Sequence, residues 1–249
     1  RPKMVSRQVI VEGHQVTISG IAKGSGMIKP NMATMLSYIF TDARLTQSTL
    51  DRLLREQVAL SFNRITVDGD TSTNDCCLLS ATGCSAAPVE AESGQCHAVF
   101  EEALADIFRE LAVELIKDAE GATKFVTVAV TGGRDSGECL QVGYAVAESP
   151  LVKTALFASD PNWGRILAAI GRAGLDSLDI NAVEVWLGNT RIVENGCRDA
   201  HYTEEAGQAE MDRNEITISI SLARGDFSEK IFTADLSYDY VRINADYRS

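Results

Sequence analysis

The chain has 249 residues and carries 35 Asp and Glu against 23 Lys and Arg, a formal net charge of −12 at pH 7. That balance excludes the basic footprint of a nucleic-acid-binding protein and opposes binding to an anionic membrane surface. The length and a 45% hydrophobic content suit one sizeable core or two small ones, and no apolar run approaches the roughly 20 residues of a membrane span.

Taken in order, residues 7–12 and 15–21 alternate apolar and polar around Gly13-His14, which predicts a hairpin with His14 in its turn. The hairpin runs into K-G-S-G-M-I-K-P-N-M-A-T-M-L at 23–36. Gly24-Ser25-Gly26 permits a sharp bend, and Pro30-Asn31 favours a turn. From spacing alone, the stretch is a glycine-rich loop leading into a buried helix over Met35, Leu36, Ile39 and Phe40. Residues 48–61 place Leu50, Leu53, Leu54, Val58 and Leu60 at helical spacing. The polar run 61–75 is a loop whose Thr, Ser and Asp side chains satisfy backbone groups. A calcium-loop reading of it fails, because the expected glycine is Thr73 and the expected glutamate is Leu79.

Residues 80–98 predict an irregular surface loop. Val99, Ala103, Ile107, Leu111 and Leu115 mark a helix over 99–117, widened by Leu104 and Phe108. Glu120 is expected where that helix ends, a poor place for a carboxylate, and such local conflicts tend to mark function. Strands are expected at 124–130 and 140–146. Helices are expected from Ser149-Pro150 and Asp160-Pro161, with Ser149 as cap and Pro150 at the first helical position. Strands come next at 183–187, 216–222, 230–236 and 240–243, with a polar helix at 203–212. The sum is a mixed α/β (α+β) fold, layered sheets flanked by helices, with no linker long enough to force a domain split. Cys76, Cys77, Cys84, Cys96, Cys139 and Cys197 contain no C-x-x-C pair, so zinc or redox spacing is absent. They are expected to be reduced, mostly buried thiols of a cytoplasmic protein.

Thr34 follows a small residue, Ala33. Threonine is a weak nucleophile without a base beside it, and an N-terminal Thr carries its own base, the α-amine, whose pKa is about 7.7–8.0. Attack of Thr34 Oγ on the Ala33 carbonyl is the simplest way to expose that amine. The 23–36 stretch closely resembles the self-cleavage motif of the ornithine acetyltransferase (glutamate N-acetyltransferase) family of arginine biosynthesis. So do Thr41-Asp42-Ala43, S-F-N-R-I-T-V-D-G-D-T-S-T-N-D (61–75), D-A-E-G-A-T-K (118–124), S-P-L-V-K-T-A (149–155), D-P-N-W-G-R (160–165) and Y-V-R-I-N-A-D-Y (240–247), in the family's order.

The resemblance implies a layered fold of two packed domains around mixed sheets. It implies self-cleavage between Ala33 and Thr34 into a segment 1–33 and a segment 34–249, assembled as an α2β2 heterotetramer. It also implies transfer of acetyl from N-acetylornithine to glutamate through acetyl-Thr34, releasing ornithine. Lys23, Thr34, Glu120, Asn244 and Ser249 match its substrate-binding residues. Glu120 suits the cationic end of ornithine, and Asn244 and Ser249 suit a carboxylate. No metal or bound cofactor is implied, and acetyl-CoA is a candidate second acetyl donor. The family's precursor carries a longer segment ahead of the point where this chain begins, which supplies the oxyanion-hole Thr-Gly pair and another substrate-contacting Thr. The chain is therefore expected to be a truncated member or one part of a larger assembly, and the alternative is an inactive fragment that needs that segment. The same acyl-Thr intermediate meeting water would instead make an amidase or aminopeptidase.

Overall fold

In a computed structural model, residues 1–29, 35–71 and 74–246 are described. Ala33 and Thr34, the expected cleavage site, and Ser249 lie outside them. The chain divides into two compact units, Arg1–Asp118 and Ala119–Ser249. Each is built on one mixed sheet, as the expected α/β class requires. No linker marks the division, because it falls directly after a helix.

The first unit opens with the expected hairpin, β1 (Lys3–Val11) and β2 (His14–Lys23). Its turn is the pair Glu12-Gly13, both at positive φ, the backbone twist that matches flanking strands. His14 is therefore the first residue of β2, paired with Val11. The expected helix after the glycine-rich loop is instead strand β3 (Leu36–Thr41). Its period is two: Ser37, Ile39 and Thr41 are buried while Phe40 is exposed. Helix α1 (Gln47–Leu60) comes next, capped by Thr46, and then β4 (Cys76–Ala81) and α2 (Ala98–Lys117). The strands lie in the order β1-β2-β3-β4, antiparallel except for β3 beside β4.

Helix α2 lies on β1 and β2. It buries Phe100, Leu104, Ile107, Phe108, Leu111 and Leu115 completely. At about 1.5–3 kcal/mol for each large side chain, that face outweighs the ~1 kcal/mol of a helix cap. Gly20 makes the close approach possible, since a Cβ there would sit 2.7 Å from Leu111 Cδ1. The opposite face of the sheet carries a cross-strand row, Met4-Ile21-Tyr38-Leu78, in direct register. Met4, Ile21 and Leu78 are exposed, at 72%, 45% and 47%.

The second unit begins with β5 (Phe125–Gly133). The expected strand at 140–146 is a helix, α3 (Ser136–Ala147), started by Asp135, whose side chain accepts from Glu138 N–H. Helices α4 (Pro150–Phe157), capped by Ser149 as expected, and α5 (Trp163–Gly171) come after it. Asn162, not Asp160, caps α5. Then come β6 (Glu184–Leu187), β7 (Thr190–Glu194), β8 (Cys197–Arg198), α6 (Glu204–Met211), β9 (Glu215–Ser221) and β10 (Phe227–Ala234). The expected last strand, 240–243, is part of helix α7 (Tyr238–Asp246), whose first turn is held by Ser237 Oγ accepting from Tyr240 N–H. The sheet order is β10-β5-β9-β6-β7-β8, with β5 and β9 parallel. Val126, Val128 and Val130 of β5 and Ile216, Ile218 and Ile220 of β9 pack with Val142 and Val146 of α3 and Ile166 and Ile170 of α5.

All six cysteines are free, but only Cys96 and Cys139 are buried; Cys84 and Cys197 are exposed, one in a loop and one in the two-residue edge strand β8. Burial pushes the Cys77 thiol up to about 12 against a bond with Ser37, which makes it a poor nucleophile. Among the described residues, no helix is long and apolar enough to cross a membrane.

Candidate active site

In the first unit, Lys23 is the last residue of β2 and is exposed. It pairs across the sheet with Leu36, the first residue of β3. The loop that carries the expected cleavage site therefore starts and ends on neighbouring strands. Its described parts are gripped by the 61–75 loop, whose backbone-satisfying role is visible in detail. Asp68 accepts the N–H of Met27 at Oδ2 (2.7 Å) and of Ile28 at Oδ1 (3.1 Å). Asp75 Oδ1 accepts the N–H of Met35, and Cys76 N–H donates to the Met35 carbonyl at 2.9 Å. Burial pushes the Asp75 carboxyl above its ordinary range, against the Met35 hydrogen bond, which lowers it.

In the second unit, Glu120 and Asn244 meet. Asn244 Nδ2 donates to Glu120 Oε2 and to the Tyr240 carbonyl, both at 3.0 Å. Glu120 does not end the helix; α2 stops at Lys117 with Asp118 as cap. Asp118 is the acid at that terminus, and Lys3 Nζ answers it at 2.5 Å. Glu120 stands on the following turn, where Gly121 has φ +66. A Cβ on Gly121 would lie 2.4 Å from Tyr240 N and 2.7 Å from Ser237 Oγ. The turn is thus pressed against the start of α7, and Ser237 Oγ donates to the Gly121 carbonyl at 2.6 Å.

Asp235, 5% exposed, fixes the other end of this turn. It accepts Thr123 N–H at 2.8 Å, Thr123 Oγ1–H at 2.5 Å and Lys124 N–H at 2.9 Å. Lys124 itself is structural: its Nζ donates to Ser159 Oγ and to the Met211 carbonyl, and burial lowers its pKa against the pull of Asp235 and Asp212.

A carboxylate beside an amide, on a turn held from both ends, is suited to an ammonium group and its polar neighbours. Of the expected residues, Glu120 and Asn244 come together, while Lys23 stands beside the start of β3 in the first unit. Asp68 belongs to the set weighed and rejected as a calcium loop, in a segment expected to play a supporting role; Asp75, Asp235 and Ser237 are supporting residues that the sequence did not single out. The signal for Asp75 was the density of Asp, Ser and Thr in 61–75; Asp235 and Ser237 gave none beyond standing just after a strand.

A model of the ArgJ family matches residues 1–249. The chain is 57% identical over 249 residues to the arginine biosynthesis bifunctional protein ArgJ of Pseudomonas syringae pv. tomato, and 55% identical over 249 residues to that of Pseudomonas fluorescens. All of this chain is covered in both cases, and 62% of each relative. The chain thus spans about three-fifths of the length of the curated relatives it matches. A crystal structure of the arginine biosynthesis bifunctional protein ArgJ from Bacillus halodurans is similar with a TM-score of 0.81 at 37% identity, covering 86% of this chain and 100% of that one.

Proposed function

The chain belongs to the ArgJ family, and from that premise we propose that it is the acyl-transferring part of a glutamate N-acetyltransferase in arginine biosynthesis. Thr34 is the nucleophile. In maturation its Oγ adds to the Ala33 carbonyl carbon, the carbon–nitrogen bond breaks, and the nitrogen takes the hydroxyl proton. Water then hydrolyses the resulting ester, leaving a carboxylate on Ala33 and a free hydroxyl and α-amine on Thr34. In turnover Oγ takes the acetyl group from N-acetylornithine, with the Thr34 amine as base. The base passes the proton to the departing nitrogen and ornithine leaves. The amine of glutamate then attacks the acetyl ester, and the bond from the acetyl carbon to Oγ breaks. The Thr34 amine carries the proton from the attacking nitrogen to Oγ, and N-acetylglutamate leaves with Thr34 restored.

The observation that carries this reading is the contact of Glu120 with Asn244, within a chain that matches the family from end to end. Lys23, Glu120, Asn244 and Ser249 are assigned to substrate binding. The division into 1–33 and 34–249 belongs to the same reading, as the two pieces that self-cleavage at Thr34 would leave. Two copies of each piece form the α2β2 assembly in this reading. Acetyl-CoA is a second donor, and the free cysteines fit a reducing cytoplasm.

The row Met4-Ile21-Tyr38-Leu78, of which Met4, Ile21 and Leu78 are exposed, supports a further point: the chain acts together with the additional segment of its longer relatives, which covers apolar surface and supplies the oxyanion donors. Losing one such donor costs about 10²–10³ in rate.

The experiment tracks intact mass and acetyl transfer for the chain alone and with that segment restored, using N-acetylornithine or acetyl-CoA as donor. Two pieces by mass, and transfer to glutamate that rises when the segment is added, is the expected result. Acetate release with no acetylglutamate points to the hydrolase instead, and an intact chain after long incubation removes Thr34 as nucleophile.

A further inference from the structure

One loop holds the chain on both sides of the expected cleavage site. Upstream, the fork of Asp68 on Met27 and Ile28 is reinforced by Val67 N–H donating to the Ile28 carbonyl at 2.6 Å and Thr71 Oγ1 donating to the Lys29 carbonyl at 3.3 Å. Downstream, Asp75 and Cys76 take the N–H and the carbonyl of Met35. Ile28 and Met35 are both buried, at 0% and 3% exposed, so each grip is anchored in the core. Met27 has φ +52, a conformation that costs a non-glycine residue roughly 1–2 kcal/mol. The Asp68 fork on its N–H is what offsets that strain.

We propose that Asp68 and Asp75 are positioning residues for self-cleavage, two carboxylates that hold Met27 and Ile28 on one side, and Met35 on the other, of the segment that contains the bond between Ala33 and Thr34. The inference rests on the assignment of Thr34 as nucleophile. Its physical basis is that attack on the preceding carbonyl closes a small ring, so the rate depends on how often the segment holds that geometry. A segment tied at both ends reaches it far more often than one tied at neither. Both side chains serve as acceptors for backbone N–H groups, and at Asp68, where both oxygens are used, charge assistance makes the hydrogen bonds roughly twice as strong as neutral ones.

The two residues are not equivalent. Asp68 uses both oxygens on backbone N–H groups. Asp75 uses Oδ1 on Met35, and its buried Oδ2 has no hydrogen-bond partner among the described residues. One acceptor oxygen therefore suffices at position 75 and two are needed at position 68. The blander account, that both aspartates only stabilise the loop, expects each substitution to lower stability without singling out the acyl shift.

The test makes the chain, with the segment of its longer relatives, in a cell-free system that defines time zero, and tracks cleavage by intact mass. Thr34→Ala blocks it. Asp68→Ala and Asp75→Ala slow it roughly 10- to 100-fold, Asp68→Asn is intermediate, and Asp75→Asn stays within a few-fold of wild type. Hydroxylamine, which cleaves esters and spares amides, does not rescue either alanine variant, because the acyl shift itself is slowed.

Amide exchange accelerates at Met35 in Asp75→Ala and at Met27 and Ile28 in Asp68→Ala. An uncleaved wild type defeats the Thr34 assignment. Wild-type cleavage in the alanine variants, or full rescue by hydroxylamine, overturns this inference and leaves Thr34 standing. If an alanine variant does not fold, the asparagine pair decides, and Asp75→Asn slower than Asp68→Asn overturns the proposal.

Discussion

Asn244 Nδ2 and Glu120 Oε2 are 3.0 Å apart although 124 residues separate them in sequence. The bond ties the turn after α2 to the last turns of α7 and puts an anionic and a neutral polar group side by side. Glu120→Gln preserves it, since the amide carbonyl still accepts from Asn244, and removes only the charge. Acetylornithine carries a free distal amine that is cationic before and after acyl transfer, whereas glutamate has no distal cation. We expect Glu120→Gln to slow acylation of Thr34 roughly 5- to 10-fold, the difference between charged and neutral hydrogen bonds, and to slow deacylation by glutamate less. Single-turnover assays separate the two steps, and equal losses in both would assign Glu120 to holding the turn.

Gly121 is where that turn is most constrained. Its φ of +66 already disfavours any side chain, and an added Cβ would strike the Tyr240 nitrogen, which is backbone and cannot swing aside. Gly121→Ala is therefore expected to lift the turn off the start of α7 and to separate Glu120 from Asn244. Displacements of about 1 Å can cost 10²-fold in rate. The expected result is a raised KM for acetylornithine and a melting temperature lower than that of Asn244→Ala. A Gly121→Ala enzyme with wild-type KM would show that the turn yields without moving Glu120.

How much of the fold and site is legible in the sequence depends on the range of the deciding interaction. Ser149-Pro150 and the 99–117 stripe announce their helices because cap and face lie within the segment. The run 140–146 fits both periods, and its helical state is decided upstream by Asp135. The 240–243 run alternates like a strand, yet Ser237 starts a helix ahead of it, and Gly121, from the other end of the unit, packs against that start. Leu36 to Phe40 fails in the opposite direction: its partner strands, β2 and β4, are remote in sequence. The candidate site shows the same division. Lys23, Glu120 and Asn244 come from the resemblance of their motifs. Asp68, Asp75 and Asp235 look like ordinary loop aspartates until the backbone N–H groups that they accept have been brought to them.

The strand order decides the fate of the two pieces after cleavage. Segment 1–33 contains β1 and β2, and β2 pairs with β3 along the whole stretch from Ile18 opposite Thr41 to Lys23 opposite Leu36. Val5, Val11, Val16, Ile18 and Ala22 of the hairpin are buried. The two pieces are thus expected to stay together through one sheet and one core, with no covalent link. After cleavage they should co-elute on size exclusion in buffer and separate only in denaturant. Thr34→Ala should give one chain with the same elution volume, and Thr34→Ser should retain partial cleavage. Loss of the short piece in buffer would mean that β2 does not hold its place once the loop is cut.

The last expectation concerns pH. Glu138, in the first turn of α3, accepts Arg224 Nε at 3.1 Å and Nη2 at 2.9 Å, and also Arg134 N–H at 3.0 Å. The Arg224 hydrogen bond, helped by that of Arg134, draws its carboxyl from 4.5 down to about 2, against a small opposing effect of burial. A carboxyl whose folded pKa lies below its unfolded value binds fewer protons folded than unfolded, so stability rises with pH between the two values. The contribution is fully present above about 4.5 and is lost as pH falls toward about 2. Glu138→Gln removes the titrating group and one charge of a pair whose side chains are 15% and 7% exposed. Arg224 keeps its bonds to the carbonyls of Asp176 and Ser177, so the variant should still fold. Urea unfolding at a series of pH values is expected to show Glu138→Gln less stable than wild type at neutral pH, with the two curves converging below pH 4.5. Curves that stay parallel down to pH 2 would mean that the ion pair adds nothing to folding and that other carboxylates set the acid limit.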